Sequence, residues 1–114
     1  MAQQGVFTLP ANINFGVTVL TNAAYVQNVE IFVNNELRAS FSGSGTNNNN
    51  LGTKVINSGN GSVRVQITAN GKQSDMVSSQ LVLANKLNMA IVGSEDGTDM
   101  DYNDAIAILN WPLG

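Results

Sequence analysis

"VEIFVNNELRASFS", Val29–Ser42, is the stretch whose reading decides the fold. Val29, Ile31 and Val33 alternate with Glu30, Phe32 and Asn34, and beyond an Asn-rich turn Leu37, Ala39 and Phe41 alternate with Arg38, Ser40 and Ser42. A side-chain period of two puts each set on its own face of a pleated strand, so the stretch predicts a β-hairpin with one face toward a core. "SVRVQITANGKQS", Ser62–Ser74, repeats the logic. Val63, Val65 and Ile67 point one way, Arg64 and Gln66 the other, and Asn70-Gly71 supplies the positive-φ turn of a second hairpin.

Working outward, further strands are expected at Val6–Leu9, Gly16–Thr21, Gly52–Ile56, Gln80–Leu83, Leu87–Val92 and Ala105–Trp111. No stretch sustains a helical period. The expectation is an all-β fold, an antiparallel β-sandwich of about nine strands, with turn signals at the spacing of such folds. "SGSGTNNNN", Ser42–Asn50, and "NSGNG", Asn57–Gly61, are rich in Gly and polar residues and read as ordered loops. "AIAILNWPLG", Ala105–Gly114, is nearly continuous in apolar residues and should be covered on both faces, either as a central strand or by a second subunit.

The chain has 114 residues, enough for one domain spanning residues 1–114. Charged residues are 11% of it, the net charge is −3, and the cations Arg38, Lys54, Arg64, Lys72 and Lys86 are scattered. That distribution argues against nucleic-acid or anionic-membrane partners. Without Cys there is no disulfide, thiolate nucleophile or zinc–thiolate site, and without His the commonest general base and transition-metal ligand is missing. A bound metal should therefore be a hard, oxygen-loving one. "MAQQGVFTLP" lacks the cationic start and apolar run of a secretory signal, and no segment has the roughly 20 apolar residues of a membrane span. The expectation is a soluble protein without membrane insertion, made in the cytoplasm and exported or surface-associated by an unorthodox route.

"GSEDGTDMDYND", Gly93–Asp104, gathers Glu95, Asp96, Asp99, Asp101 and Asp104, five of the eight acidic residues, between two apolar strands. Gly, Asp and Asn favour turns, so the carboxylates should converge in a loop at one end of the sandwich. Such neighbours raise one another's pKa unless a cation compensates them. A glycosidase needs two carboxylates flanking a bond rather than five in one run, and a solvated charge run fits poorly in a chain that otherwise avoids charge. Calcium, which takes about six to eight oxygen ligands, fits best. An EF-hand does not: with the loop begun at Asp99, Asp104 stands at the turn glycine and Asn110 at the bidentate glutamate, before a strand. Charge balance favours two Ca²⁺ over one.

"QGVFTLPANINFGVTVLTN", "LGTKVINSG" and above all "VGSEDGTDMDYNDAIAILNWPLG" resemble the fucose-binding lectin II family, small bacterial lectins that hold fucose or mannose through two calcium ions. The resemblance runs from Gln3 to Gly114. It implies a nine-stranded β-sandwich assembled as a homotetramer, and a non-enzymatic lectin suited to bacterial adhesion. It also implies that Glu95, Asp99, Asp101 and Asp104 hold one calcium. Asp101, Asn103, Asp104 and the Asn22 carbonyl would hold the other, completed by the Gly114 carboxylate of a neighbouring subunit. Sugar hydroxyls would then join the metal shell beside Asp99, Asp101, Asn103, Asp104 and Gly114, with Asp96, Thr98 and Thr46 alongside. The family's specificity loop falls at Ala23-Ala24-Tyr25. Ala at its first position implies a lean toward mannose over fucose, while Tyr25 either meets the sugar or points to solvent.

Overall fold

The computed structural model describes residues 3–97 and 100–114. Their strands are β1 (Val6–Thr8), β2 (Asn14–Val33), β3 (Glu36–Asn57), β4 (Ser62–Ala69), β5 (Lys72–Gln73), β6 (Asp75–Leu83), β7 (Leu87–Glu95) and β8 (Ala105–Trp111). Every ladder is antiparallel. The sheet order is β1-β4-β2-β8-β7-β6, with β3 on β2 and β5 on β4.

The long strand β2 explains how one ladder closes over a core. Its first part, Gly16–Thr21, pairs with β8, while its last part, Gln27–Val33, pairs with β4. Between them its register against β3 shifts at Val19/Leu20, Thr21/Ala23 and Ala23/Gln27. Such bulges bend a strand and increase its twist, so β2 passes from one layer of the sandwich to the other. Phe15, Val17 and Val19 from one part meet Val29, Ile31 and Val33 from the other, with Val63, Val65, Ile67, Ala107 and Leu109, in one buried cluster.

The expected strands Gly16–Thr21 and Val29–Val33 are thus two parts of β2, and those at Leu37–Phe41 and Gly52–Ile56 two parts of β3, so the described residues form eight strands where about nine were expected. Asn34 and Asn35 both take positive φ in the first hairpin turn, as do Asn70 and Gly71 in the second. Leu37 departs from expectation: it is exposed, because a register shift at Ile31/Phe32 pairs it with outward-facing Phe32. Ser42–Asn50 departs further, since it is not a loop but the middle of β3, paired to β2 through Asn28↔Ser42, Ala23↔Gly45 and Thr21↔Asn49. Its polar composition reflects exposure rather than loss of pairing, and its Gly and Asn residues serve the bulges, with positive φ at Gly45, Asn47 and Asn48.

β8 lies between β2 and β7. Ala105, Ala107, Leu109 and Trp111 are buried, while Ile106, Ile108 and Asn110 on its other face are half-buried. Register places Ile106 beside Gly93 and Leu20, and Ile108 beside Ile91 and Thr18. Ile91 in turn sits beside Ser79, flanked on β6 by Val77 and Leu81. The outward face of this layer is therefore apolar, and Val77, Leu81 and Ile91 are all exposed.

Candidate functional site

β7 ends at Glu95 and β8 begins at Ala105, and these neighbouring strands hold the acidic segment between their ends. Ser94 fixes the base. Its buried hydroxyl donates to the Ala105 carbonyl at 3.0 Å and accepts from the Ala105 amide at 3.1 Å, while its own carbonyl accepts from the Asp104 amide. The returning chain lies directly on Gly93, where a Cβ would stand 2.5 Å from the Tyr102 carbonyl oxygen.

Glu95, Asp101 and Asp104 converge from this frame, each offering a carboxylate oxygen within 4.8 Å of the others. Glu95 and Asp104 are buried and Asp101 is exposed, so the cluster has a closed floor and an open side. Internal donors hold its shape. Glu95 accepts from the amides of Gly97 at 3.0 Å and Tyr102 at 3.3 Å, and Asp104 Oδ2 accepts from the Asp96 amide at 2.9 Å. The Tyr102 hydroxyl donates to Asp75 at 2.6 Å, tying the segment to β6. That bond holds the phenol above its ordinary pKa.

Burial likewise pushes the Asp104 carboxyl above the usual carboxylate range, with the Asp96 side chain adding to the shift. Carboxylates gathered this closely, two of them buried, repel one another unless a proton or a cation compensates them. The donors here are carboxylate, amide and carbonyl oxygens in a chain without His or Cys, which suits a hard cation.

Of the other expected residues, Asn22 and Asn103 are tied to this cluster by hydrogen bonds. Asn22 donates its amide NH to the Asp104 carbonyl at 3.0 Å, and its side chain donates to the Asn103 carbonyl at 3.2 Å. It also exchanges bonds with Asn48, the Asn48 amide donating to its Oδ1 at 2.7 Å. Asn22 and Asn103 are thereby brought to the cluster. Ala23 is buried and Ala24 and Tyr25 are exposed, all within β2 rather than in a separate loop. Thr46 is exposed, in the bulged part of β3 opposite Thr21–Ala23. Thr98 and Asp99 lie outside the described residues. Gly114 is not brought to the cluster within one chain: β8 leads away from Asp104 for seven residues, roughly 20 Å at strand rise.

Gln27 is a residue that the sequence reading missed. Fully buried, it donates Nε2 to Asp96 Oδ2 at 2.9 Å and to the Tyr25 carbonyl at 3.2 Å. A signal for it exists, since Gln27 stands in the inward register of Val29, Ile31 and Val33. Thr21 after Val17 and Val19, and Ser94 after Ala90 and Val92, are the same anomaly at the same end of the sheet.

The fucose-binding lectin II (PA-IIL) family model matches residues 7–113. Among solved structures, the Chromobacterium violaceum lectin CV2L, in complex with alpha-methyl-fucoside, is 82% identical, with a TM-score of 0.98 over 99% of this chain and 100% of its own. A Ralstonia solanacearum high-affinity mannose-binding lectin is 62% identical, with a TM-score of 0.98 and the same coverage. The C-terminal domain of the BC2L-C lectin from Burkholderia cenocepacia is 50% identical, with a TM-score of 0.93 over the whole of both chains. No curated protein matches the chain. These relatives are lectins, carbohydrate-binding proteins rather than enzymes. The match spans nearly the whole chain, and the sandwich with its acidic end belongs to a member of the fucose-binding lectin II family.

Proposed function

We propose that residues 1–114 act as one calcium-dependent lectin domain that binds a mannose- or fucose-type monosaccharide through two Ca²⁺. The observation that carries the calcium reading is the convergence of Glu95, Asp101 and Asp104, two of them buried, on a floor built from Ser94, Gly93 and Asn22. Asn22, Glu95, Asp99, Asp101, Asn103 and Asp104 would hold the ions, with Gly114 of a neighbouring copy. Bound calcium would supply open coordination positions that neutral vicinal hydroxyls can fill. The chain's own part is to aim acceptors at the hydroxyl protons and to shape the rim. Asp96, steadied by Gln27, accepts on one side of that rim. Ala23, Ala24, Tyr25, Thr46 and Thr98 form the remainder.

The small Ala23 and Ala24 leave room without offering a hydroxyl, and the family resemblance, with Ala at the first position of the specificity loop, implies mannose over fucose. A 62%-identical relative is a high-affinity mannose-binding lectin and an 82%-identical one is in complex with alpha-methyl-fucoside, so both sugars belong in the test. Calorimetry with methyl mannoside and methyl fucoside tests it: mannoside is expected to bind more tightly in calcium, and neither after chelation. Tighter fucoside overturns the order. Thermal stabilisation by calcium with no response to either sugar overturns the lectin reading in favour of a calcium brace.

The apolar outward face bearing Val77, Leu81, Ile91, Ile106 and Ile108 supports assembly with further copies, as patches of this kind mark interaction surfaces. A tetramer would raise avidity on a glycan-coated surface by about 10²–10⁴ over a single site, consistent with a role in bacterial adhesion.

A further inference from the structure

The asparagine run Asn47–Asn50 lies on β3 opposite Thr21–Ala23 of β2. Thr21 pairs with Asn49 and Ala23 with Gly45, so between these pairs Asn22 alone faces Thr46, Asn47 and Asn48. A bulge of this kind takes the intervening backbone out of the ladder, and asparagine side chains supply bonds in its place. Asn49 Nδ2 donates to the Ser44 carbonyl at 2.8 Å, closing the bulge on itself. Asn48, in the left-handed region at φ 57°, bonds across to β2. Its backbone amide donates to Asn22 Oδ1 at 2.7 Å, and its own Oδ1 accepts from Asn22 Nδ2 at 2.9 Å. Since a backbone amide can only donate, this pair fixes which end of the Asn22 side chain is oxygen. Nδ2 is thereby also aimed at the Asn103 carbonyl at 3.2 Å, while the Asn22 main-chain amide donates to the Asp104 carbonyl at 3.0 Å. Asn47 is equally exposed and left-handed at φ 63°, but among the described residues it makes no bond to Asn22.

We propose that Asn48 is a positioning residue for the calcium site: through the Asn22 side chain it sets the place of the Asn22 carbonyl and of the Asn103–Asp104 segment, and so the affinity for the ion they would share. This role rests on the calcium reading and adds to it a residue outside the donor set. Groups that orient metal donors without touching the metal typically change its affinity by about 10–100-fold. Asn22 is well placed to transmit such an effect, because the proposed donor is its own main-chain carbonyl while its side chain is gripped from the opposite strand. The polar run on β3 thereby acquires a part in the site as well as at the sheet edge.

The test is a double-mutant cycle on the full chain, read by calcium titration. Asn48→Gly suits the left-handed backbone and keeps the main-chain amide, removing only the Oδ1 bond. Asn22→Ala keeps the Asn22 carbonyl and removes the whole clamp. Each should weaken calcium binding by at least about fivefold, and the double variant should lose no more than Asn22→Ala alone, because the two side chains act through one another. Asn47→Gly is the matched control and should stay within about twofold of the parent. A second readout needs no metal: in chelated protein, hydrogen exchange of the Asn22 amide should quicken by about fivefold or more in Asn48→Gly and keep the parent rate in Asn47→Gly. Unchanged calcium affinity or unchanged exchange in Asn48→Gly, additive losses in the double variant, or an equal loss in Asn47→Gly overturns the positioning role while leaving the calcium reading standing. Failure of the parent to bind calcium overturns both.

Discussion

Along β2, Val17 and Val19 and again Val29, Ile31 and Val33 put aliphatic side chains into the core, whereas between them the inward register holds Thr21, Ala23 and Gln27. The flanking stretches keep regular ladders with β8 and β4. The middle carries a succession of register shifts against β3. Among the described residues Thr21 Oγ1 and Gln27 Oε1 are buried with no hydrogen-bond partner, each a cost on the order of 1–3 kcal/mol. One strand thus holds the fold together at its ends and gives up stability in its middle, where it positions Asp96, Tyr25 and Asn22. Substitutions in the two stretches should therefore move different observables.

Truncating the core has the largest effect. Phe15→Ala empties a fully buried site and should cost about 3–5 kcal/mol in urea unfolding, with unchanged sugar affinity in the protein that remains folded. A parallel loss of affinity would break the division between the two stretches. Gly93→Ala comes next, because its methyl group would collide with the Tyr102 carbonyl and lift the acidic segment from its floor. Calcium affinity by titration should fall about tenfold or more while unfolding shifts by roughly 1–3 kcal/mol. An unaltered calcium titration would mean that the floor does not set the site.

Gln27→Met sharpens the comparison because its two effects oppose each other. Losing the bond to Asp96 should lower sugar affinity by a factor of about three to ten, at roughly 0.5–1.5 kcal/mol for a hydrogen bond. Losing the orphaned Oε1 should leave thermal stability equal or higher. Lower stability with intact affinity would return Gln27 to a purely structural role.

Asp104→Asn is expected to make a small change in fold stability, and the one most sensitive to pH. The folded pKa of Asp104 is raised by burial, so the folded state holds that proton more tightly than the unfolded chain. Its stabilising contribution is fully present below the unfolded value of about 3.9 and is lost as pH rises through the folded one. In chelated protein the variant should therefore melt a few degrees above the parent at neutral pH and converge with it below about pH 3.5. Added calcium should stabilise the parent far more than the variant. A lower melting temperature for the chelated variant at neutral pH would contradict the assigned desolvation.

The sequence made the strands legible wherever one face is apolar: the Val63–Ile67 alternation, the Asn70-Gly71 turn and the extent Ala105–Trp111 all stand as read. It failed where pairing and burial part company. Ser42–Asn50 forms a ladder while exposing most of its side chains, and hydrophobic patterning is blind to a strand of that kind. The bulge that turns Leu37 outward is invisible for a related reason, since one extra residue leaves local alternation intact and changes only which face it names. The acidic cluster was legible because charge is rare in this chain, whereas Gln27 and Ser94 act by standing behind it and announce themselves only as polar residues in an apolar register.

That polar strand bears on whether another chain could add to the sheet. Among the described residues β3 pairs with β2 alone, so a strand of twenty-two residues presents an unpaired edge that another chain could extend. Glu36, Arg38 and Lys54 and the four consecutive asparagines line it, and its left-handed residues Gly45, Asn47, Asn48 and Gly52 break the straight row of amides that a newcomer would need. An edge so interrupted is a poor template for strand addition, and the asparagine run is the part of the chain that interrupts it.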